Sequence, residues 1–336
     1  MKSAILFLIL AISTGCSHTA VVHCWEPAEI EVKGMHRIVV TDFVGDKGQG
    51  IAGSLSALLH DNEFYTIVDS SELQSTIVSV GYQDRPSMDD LISSARSAGV
   101  DGIIFGEVIE YDCNDQVLRT SELNVLTQDA LDDNLFDSTE FDARTNESLL
   151  REGSVTLAFR LVEVETGEVL AAKSVNRNFS GRLDSGSAQL PSRGELLHEL
   201  TESCLQEFVN MMAPHERPCE MSLATCDFWV KGYRDVRSGV KWALADDWKK
   251  AEASWQQAVK ENPQNDAALF NLSIAATRRQ DYFTAETYAL DAIKAEHKDC
   301  YTAGLEKIRE RRKACEQANA QRDSRVTSVS PAILHR

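Results

Sequence analysis

The sequence lacks the short motifs by which most enzymes bind nucleotides, phosphate or catalytic metals. It has no Walker loop, no dinucleotide-binding glycine fingerprint, no HExxH and no GxSxG, and its eight histidines are scattered along the chain. We therefore expect no catalytic residues, no cofactor and no enzymatic activity.

Basic residues are also scarce. Lysine and arginine number 34 against 52 aspartates and glutamates, which gives a net charge of −18. Nucleic acids are bound by clustered lysine and arginine, so this balance argues against nucleic acid as a partner. Solubility alone explains an acidic surface. With 336 residues, the chain is long enough for two domains.

The first sixteen residues contain an apolar run that is too short to cross a bilayer. Lys2 supplies a positive charge, residues 4–12 are uncharged and apolar, and the small residues STG directly precede Cys16. This pattern predicts a signal peptide over residues 1–15 and an N-terminal anchor and arm over 16–35. A plain secretory signal cleaved near Gly15 is the alternative to a lipoprotein signal.

The residues around Cys16 resemble a bacterial lipobox, although Ser13 stands where that family usually has leucine. The resemblance implies that Cys16 carries a lipid and holds the chain on a membrane. Ser17 is similar to the residue found in lipoproteins that are not retained at the inner membrane. The implied localisation is the cell envelope, with the protein lipid-anchored at the outer membrane and facing the periplasm.

Seven cysteines follow Cys16, and export places them where disulfides can persist. Because seven is odd, at least one thiol stays free or pairs between chains. The candidate disulfides are Cys219 with Cys226, in the connection between domains, and Cys300 with Cys315, across two adjoining helices. No CxxC and no ordered Cys/His set occurs, so we expect no metal site.

Residues 36 to 112 alternate β-branched runs with amphipathic stretches. Ile51, Leu55 and Leu59 recur at helical spacing, and Ser87 with Asp89 is typical of a helix N-terminus. Three strands are predicted in HRIVVTDFVG, EFYTIVD and DGIIFGEVIEYD, and three helices in GQGIAGSLSALLHD, SSELQSTIVSVG and SMDDLISSARSAGV.

The segment 113–150 is acidic and has few apolar residues. Only Arg119 and Arg144 oppose its carboxylates, so it predicts a mobile or partly extended insertion. A calcium site is a weaker alternative because EF-hand spacing is absent. Its ligands would be Asp129, Asp132, Asp133 and Asp137.

Two strands around the turn ETGE (165–168) and a long amphipathic helix ending near residue 215 follow the insertion. The succession of IVVTDFVG, EFYTIVDSSELQSTI, AGVDGIIFGEVIEYD and this hairpin resembles the domain shared by the curli assembly component CsgG, the N-terminal part of TolB and LpoB. The resemblance implies an α/β (α+β) domain with a mixed sheet over 36–215.

An internal repeat lies beyond a linker at 216–224. DDWKKAEASWQQAVKENPQN matches QDYFTAETYALDAIKAEHKD at a shift of 34 residues, which is the period of tetratricopeptide repeats. The similarity implies an all-α domain over 225–320, with a capping helix and then a disordered tail at 321–336. Asn271 and Arg278 would lie on the concave side of the repeats and contact a protein partner.

Two function classes follow from these resemblances. The first is a CsgG-like envelope component that assembles or transports secreted proteins and forms a homo-oligomer on the membrane. The second is an LpoB-like periplasmic scaffold that regulates an envelope enzyme and has no transport role. In both classes, the repeats bind envelope or secreted proteins.

Overall fold

The computed structural model divides the chain into two compact units. The first consists of residues 1–28 and 214–336, and the second of 29–213. The structure describes residues 16–30, 32, 34–70, 87–125, 141–184 and 190–328. The predicted signal peptide, the predicted helix in SSELQSTIVSVG and the four aspartates of the calcium alternative lie outside the described residues.

The second unit is built on a five-stranded mixed sheet. The prediction of a mixed α/β fold for this region is therefore confirmed. The strand order is β3-β2-β4-β5-β6. β2 runs parallel to both β3 and β4, whereas β4, β5 and β6 form an antiparallel meander. The strands are β2 (Arg37–Val40), β3 (Thr66–Val68), β4 (Gly102–Val125), β5 (Phe141–Glu163) and β6 (Val169–Asp184).

Helices cover both faces of this sheet. α1 (Ile51–Asp61) and α3 (Arg193–Met212) bury one face, where Phe159 stacks on Phe208 with 4.0 Å between ring centroids. α2 (Met88–Ser97) packs on the opposite face. Ser87 caps α2 in a reciprocal capping box with Asp90, so the sequence prediction of Ser87 as the cap is confirmed.

The acidic segment 113–150 is predicted to be a mobile or partly extended insertion, but much of it belongs to the strands β4 and β5. Cys113 pairs with Gly153, and the antiparallel ladder continues to the pair of Val125 and Phe141. Residues 126–140 lie outside the described residues. A hairpin ladder is held by backbone hydrogen bonds and cross-strand charge pairs, so it does not require the apolar face that this segment lacks. Arg119 and Glu147 form one such pair at 2.8 Å.

The first unit contains five helices among its described residues. α4 (Tyr233–Leu244) pairs with α5 (Trp248–Glu261), α6 (Asp266–Arg278) pairs with α7 (Tyr282–Ala295), and α8 (Asp299–Ser328) follows.

The turn within each helix pair is repeated after 34 residues. Asp246 and Gln280 have φ of 60° and 61°, and the next residues, Asp247 and Asp281, are the N-caps of α5 and α7. The C-terminal region is therefore helical, as predicted, and the repeated turn matches the shift seen in the sequence.

Two predicted connections form a small sheet in the same unit. β1 (Cys16–Glu26) pairs antiparallel with β7 (His215–Ala224), so residues assigned to the arm and to the linker are strands. Apolar residues alternate along both strands and are buried in the core of the helices. The buried set is Ala20, Val22, Cys24, Cys219, Met221 and Leu223. The predicted boundary at residue 225 therefore omits two strands that complete this core.

Part of the predicted disordered tail, residues 321–328, is helical. α8 continues to Ser328, and the side chain of Gln321 exchanges two hydrogen bonds with the backbone of Ala28, at 2.8 and 3.1 Å. Residues 329–336 lie outside the described residues. No helix in the described part of the chain combines the length and the apolar character needed to cross a membrane.

Candidate anchor site

The β1/β7 sheet lies against α4, α6 and α8, which are the first helices of the two pairs and the final helix. These contacts bury the apolar side of the β1/β7 sheet in the core that it shares with the helices. Within the described part of this unit, the surface of α4, α6 and α8 that packs on the sheet is therefore covered by the unit's own chain.

Helix α8 holds β1 through charged and aromatic contacts. Arg311 forms an ion pair with Glu26, and its guanidinium also lies 3.7 Å from the Cys219 sulfur. Burial acts to lower the pKa of Arg311, but the charge and hydrogen bond of Glu26, together with those of Cys219, outweigh burial and raise that pKa. One residue beyond Gln321, which contacts Ala28, the Arg322 guanidinium lies 4.5 Å from the Trp25 ring centroid.

Helix α6 holds the end of β7 that lies opposite Cys16. The Asn271 amide nitrogen donates to the Ala224 carbonyl at 2.9 Å, and the Ala224 N–H donates to the Asn271 amide oxygen at 2.7 Å. Asn271 is fully buried. Both sides of its amide are therefore used inside the protein, which satisfies the backbone groups of a buried strand residue.

The structure separates the two residues predicted to bind a partner. Asn271 is buried, and both sides of its side-chain amide are already hydrogen-bonded to Ala224. Its predicted role on an open concave surface is therefore wrong. Arg278, at the end of α6, is exposed, and its guanidinium lies 5.5 Å from the Trp248 ring centroid. Only Arg278 is placed where a partner could reach it.

The predicted lipid-attachment residue is the first residue of β1. The backbone of Cys16 is opposite Ala224, and the ladder contains an irregularity between Cys16 and His18. The folded sheet therefore begins at the residue that the sequence assigns to the anchor.

The predicted disulfides do not fit the geometry of the elements that carry them. Cys300 and Cys315 lie on the same helix, α8, where fifteen residues span about 22 Å. Cys219 lies in β7 five residues before its end, about 16 Å of strand away from Ala224, and Cys226 comes after that end. Disulfides require Cα atoms within about 7 Å. These two pairings are therefore wrong for this structure, in which the seven cysteines that follow Cys16 form no disulfide.

Most of these thiols are buried and poorly ionised. Burial, reinforced by the adjacent Cys219, raises the pKa of Cys24 to about 12. Burial also raises the pKa of Cys226 to about 11. Across the described residues, no group of three or more histidine, cysteine, aspartate or glutamate side chains is placed to hold a metal ion.

No local pattern in the sequence indicates the contacts that hold β1 in place. Glu26 and Arg311 are 285 residues apart in the sequence. Ala28 and Gln321 are 293 residues apart. The strand β7 could have been found, because Cys219, Met221 and Leu223 alternate with polar residues.

Comparisons with known proteins find no matching family model and no matching curated protein. The chain is similar to solved structures that include a PelC dodecamer from Paraburkholderia phytofirmans, with 14% identity, a TM-score of 0.29, and coverage of 57% of this chain and 98% of that one.

Two further solved structures are similar at the same level. The LpoB C-terminal domain from Salmonella enterica has 15% identity and a TM-score of 0.28, covering 45% of this chain and 87% of that one. Lipoprotein GNA1162 from Neisseria meningitidis has 14% identity and a TM-score of 0.27, covering 52% and 99%. Similarities at this level transfer no activity to this chain, so its function rests on its own residues.

Proposed function

We propose that this chain is a lipid-anchored protein of the cell envelope that acts as a non-enzymatic scaffold. The observation that carries the proposal is the position of Cys16. Its sequence context resembles that of a lipid-attachment residue, and it is the first residue of β1, which α8 holds at Glu26 and which pairs with β7, the strand that α6 holds at Ala224. A lipid on Cys16 ties the helical unit directly to the membrane.

The finer form of the proposal follows the two sequence resemblances. α4 to α7 are two tetratricopeptide repeats and α8 is their cap, and the α/β unit is a CsgG-type domain. The repeated turn at Asp246 and Gln280 supports the first assignment. So does the complete burial of Ala251 and Ala285, which occupy matching positions where helices approach closely.

In this form, the protein takes part in the assembly or secretion of envelope proteins as a homo-oligomer at the outer membrane, facing the periplasm. With α4 and α6 as the first helices of two repeats, β1 and β7 cover the surface that these helices would offer, so the protein partner binds on the exposed surface of the repeats, which includes Arg278. The alternative is an LpoB-like scaffold or regulator of an envelope enzyme that has no transport role.

The size of the detergent-extracted protein separates these two forms. An assembly or transport ring is a large oligomer, whereas a regulator does not require one. Light scattering coupled to gel filtration measures the mass of the protein directly. A stable oligomer of many subunits supports the CsgG-type form, and a monomer contradicts it.

Lipid attachment is tested by Cys16→Ala expressed as the full chain. The variant should remain unprocessed or leave the membrane fraction, and the wild-type N-terminal peptide should carry the mass of acyl chains. His18→Ala is the matched control, since His18 is exposed on the same strand and bears no lipid. An unchanged membrane fraction together with an unchanged N-terminal mass in Cys16→Ala would contradict the proposal.

A further inference from the structure

Two large aromatic side chains that follow β7 are directed into solvent. Phe228 is 76% exposed and Trp229 is 68% exposed. Their ring centroids are 4.8 Å apart at an interplanar angle of 74°, so the rings contact each other edge to face. Adjacent exposed aromatic residues of this size indicate a surface that is covered by something else.

This aromatic pair lies at the same end of the β1/β7 sheet as the anchor. Cys16 is opposite Ala224 in the ladder, and Phe228 follows Ala224 by four residues. Four residues reach at most about 14 Å, and neighbouring strands are about 5 Å apart. The segment also turns back on itself, because the Val230 N–H donates to the Asp227 carbonyl at 3.0 Å. Phe228 and Trp229 therefore stay within about 20 Å of Cys16.

The short distance matters because β1 starts at the anchor residue itself. No segment of extended chain separates Cys16 from its pairing with β7. Acyl chains on Cys16 therefore bring this end of the sheet to the bilayer surface. Tryptophan is enriched at such surfaces, where its ring contacts both acyl chains and headgroups.

We propose that Phe228 and Trp229 insert into the interface of the bilayer that holds the acyl chains of Cys16. The inference rests on the proposed lipid attachment and adds a second membrane contact to it. Lys231 follows Trp229 by two residues and is exposed. Its ammonium group can therefore form ion pairs with lipid phosphates. Two membrane signals together give stable anchoring where one short acyl chain gives only reversible binding.

The test uses the full lipidated chain in vesicles of phosphatidylethanolamine and phosphatidylglycerol that contain a brominated phospholipid. Bromine quenches only tryptophans that contact the lipid. Wild-type fluorescence should be quenched, and Trp229→Phe should lose most of that quenching. Trp242→Phe is the matched control because Trp242 is 39% exposed but lies on α4, and this variant should be quenched at least as strongly as the wild type. Equal quenching in Trp229→Phe and the wild type would overturn the insertion.

A second measurement separates the aromatic contact from the lipid. Three versions of residues 17–336, which lack Cys16, are floated with the same vesicles. They are the wild-type sequence, the double variant Phe228→Ser/Trp229→Ser, and the single variant Phe283→Ser. Phe283 is 83% exposed on α7 and serves as the control. The double variant should bind on the order of tenfold more weakly than the control, since it removes two interfacial aromatic rings. Equal binding of the two variants contradicts the inference.

The N-terminal mass of each wild-type sample distinguishes the two failures. An acylated Cys16 with an unquenched Trp229 overturns the insertion and leaves the proposed function standing. An unacylated Cys16 in a membrane fraction overturns the lipid attachment and this inference with it.

Discussion

Asn271 completes the hydrogen bonding of Ala224, which lies opposite Cys16 in the β1/β7 sheet. One buried amide accepts from the Ala224 N–H and donates to its carbonyl. The contact joins the middle helix of the first unit to β7, the strand that pairs with β1. The helices and β1 therefore share one core, and changes at Asn271 report on both.

Asn271→Ala should lower the free energy of unfolding of the helical unit by about 2–4 kcal/mol, because it leaves two buried backbone groups of Ala224 unsatisfied. Urea unfolding followed by tryptophan fluorescence measures this unit specifically. All five tryptophans lie within it, at positions 25, 229, 242, 248 and 255. Arg278→Ala, which changes an exposed residue on the same helix, should cost less than about 1 kcal/mol. Equal unfolding midpoints for the two variants would contradict the role of Asn271.

Gly239→Ala should destabilise the protein, although alanine normally favours a helix over glycine by about 0.5–1 kcal/mol. A Cβ at Gly239 of α4 would lie 2.3 Å from the Trp255 ring nitrogen. Trp255 is fully buried, so it has little room to move. We expect a loss of about 1–3 kcal/mol, read from the same fluorescence transition.

The matched control for Gly239 is Gly53→Ala in α1, where an added Cβ would have no neighbour within 4 Å. This substitution should stabilise the α/β unit slightly, as seen in urea unfolding followed by far-UV circular dichroism. If Gly239→Ala stabilises to the same degree as Gly53→Ala, the close approach of α4 and α5 is not as described.

The α/β unit should lose a stabilising interaction between about pH 4 and pH 2. Asp115 accepts two hydrogen bonds from the Arg151 guanidinium, at 2.7 and 2.8 Å, and one from Arg193 at 3.1 Å. The hydrogen bonds from Arg151 lower the pKa of Asp115 to about 2. A carboxyl whose pKa is depressed in the folded state stabilises that state above its unfolded pKa of about 4, and protonation removes the effect as pH falls towards 2.

Comparison with Asp115→Asn measures this contribution. The difference between the urea midpoints of the wild type and this variant, followed by far-UV circular dichroism, should be constant from pH 7 to pH 5 and shrink from pH 4 towards pH 2. A difference that is the same at pH 7 and pH 3 would show that the Asp115 carboxylate is not held by Arg151.

Cys24 and Cys226 should resist alkylation in the folded protein. With a pKa of about 12, Cys24 is ionised in about one molecule in ten thousand at pH 8, and the thiolate is the reactive form. Both should label with iodoacetamide only after unfolding, whereas Cys300, which is partly exposed, should label first. Mass spectrometry of peptides locates the labels. A cysteine that stays unlabelled after unfolding without a reductant would instead be in a disulfide.

Local patterns were sufficient to predict much of the chain. The strands and helices around residues 38, 55, 87 and 103 follow from β-branched runs, helical spacing and a cap, all of which act over a few residues. The two helix pairs follow from a repeat of 34 residues, because identical turn and packing positions recur at that spacing. These features depend on neighbours in sequence, and so they can be read from the sequence.

The surroundings of β1 were decided by contacts between distant residues. Whether Asn271 faces a partner or a strand of its own chain depends on where β7 lies, and nothing near Asn271 specifies that position. Glu26 meets Arg311 only because β1 and α8 pack together in the folded unit. The sequence by itself determined where the two helix pairs and their 34-residue repeat lie. Only the tertiary structure decided that β1 and β7 pack into the core of these helices, since burying the apolar faces of β1 and β7 requires the helices to have assembled around them.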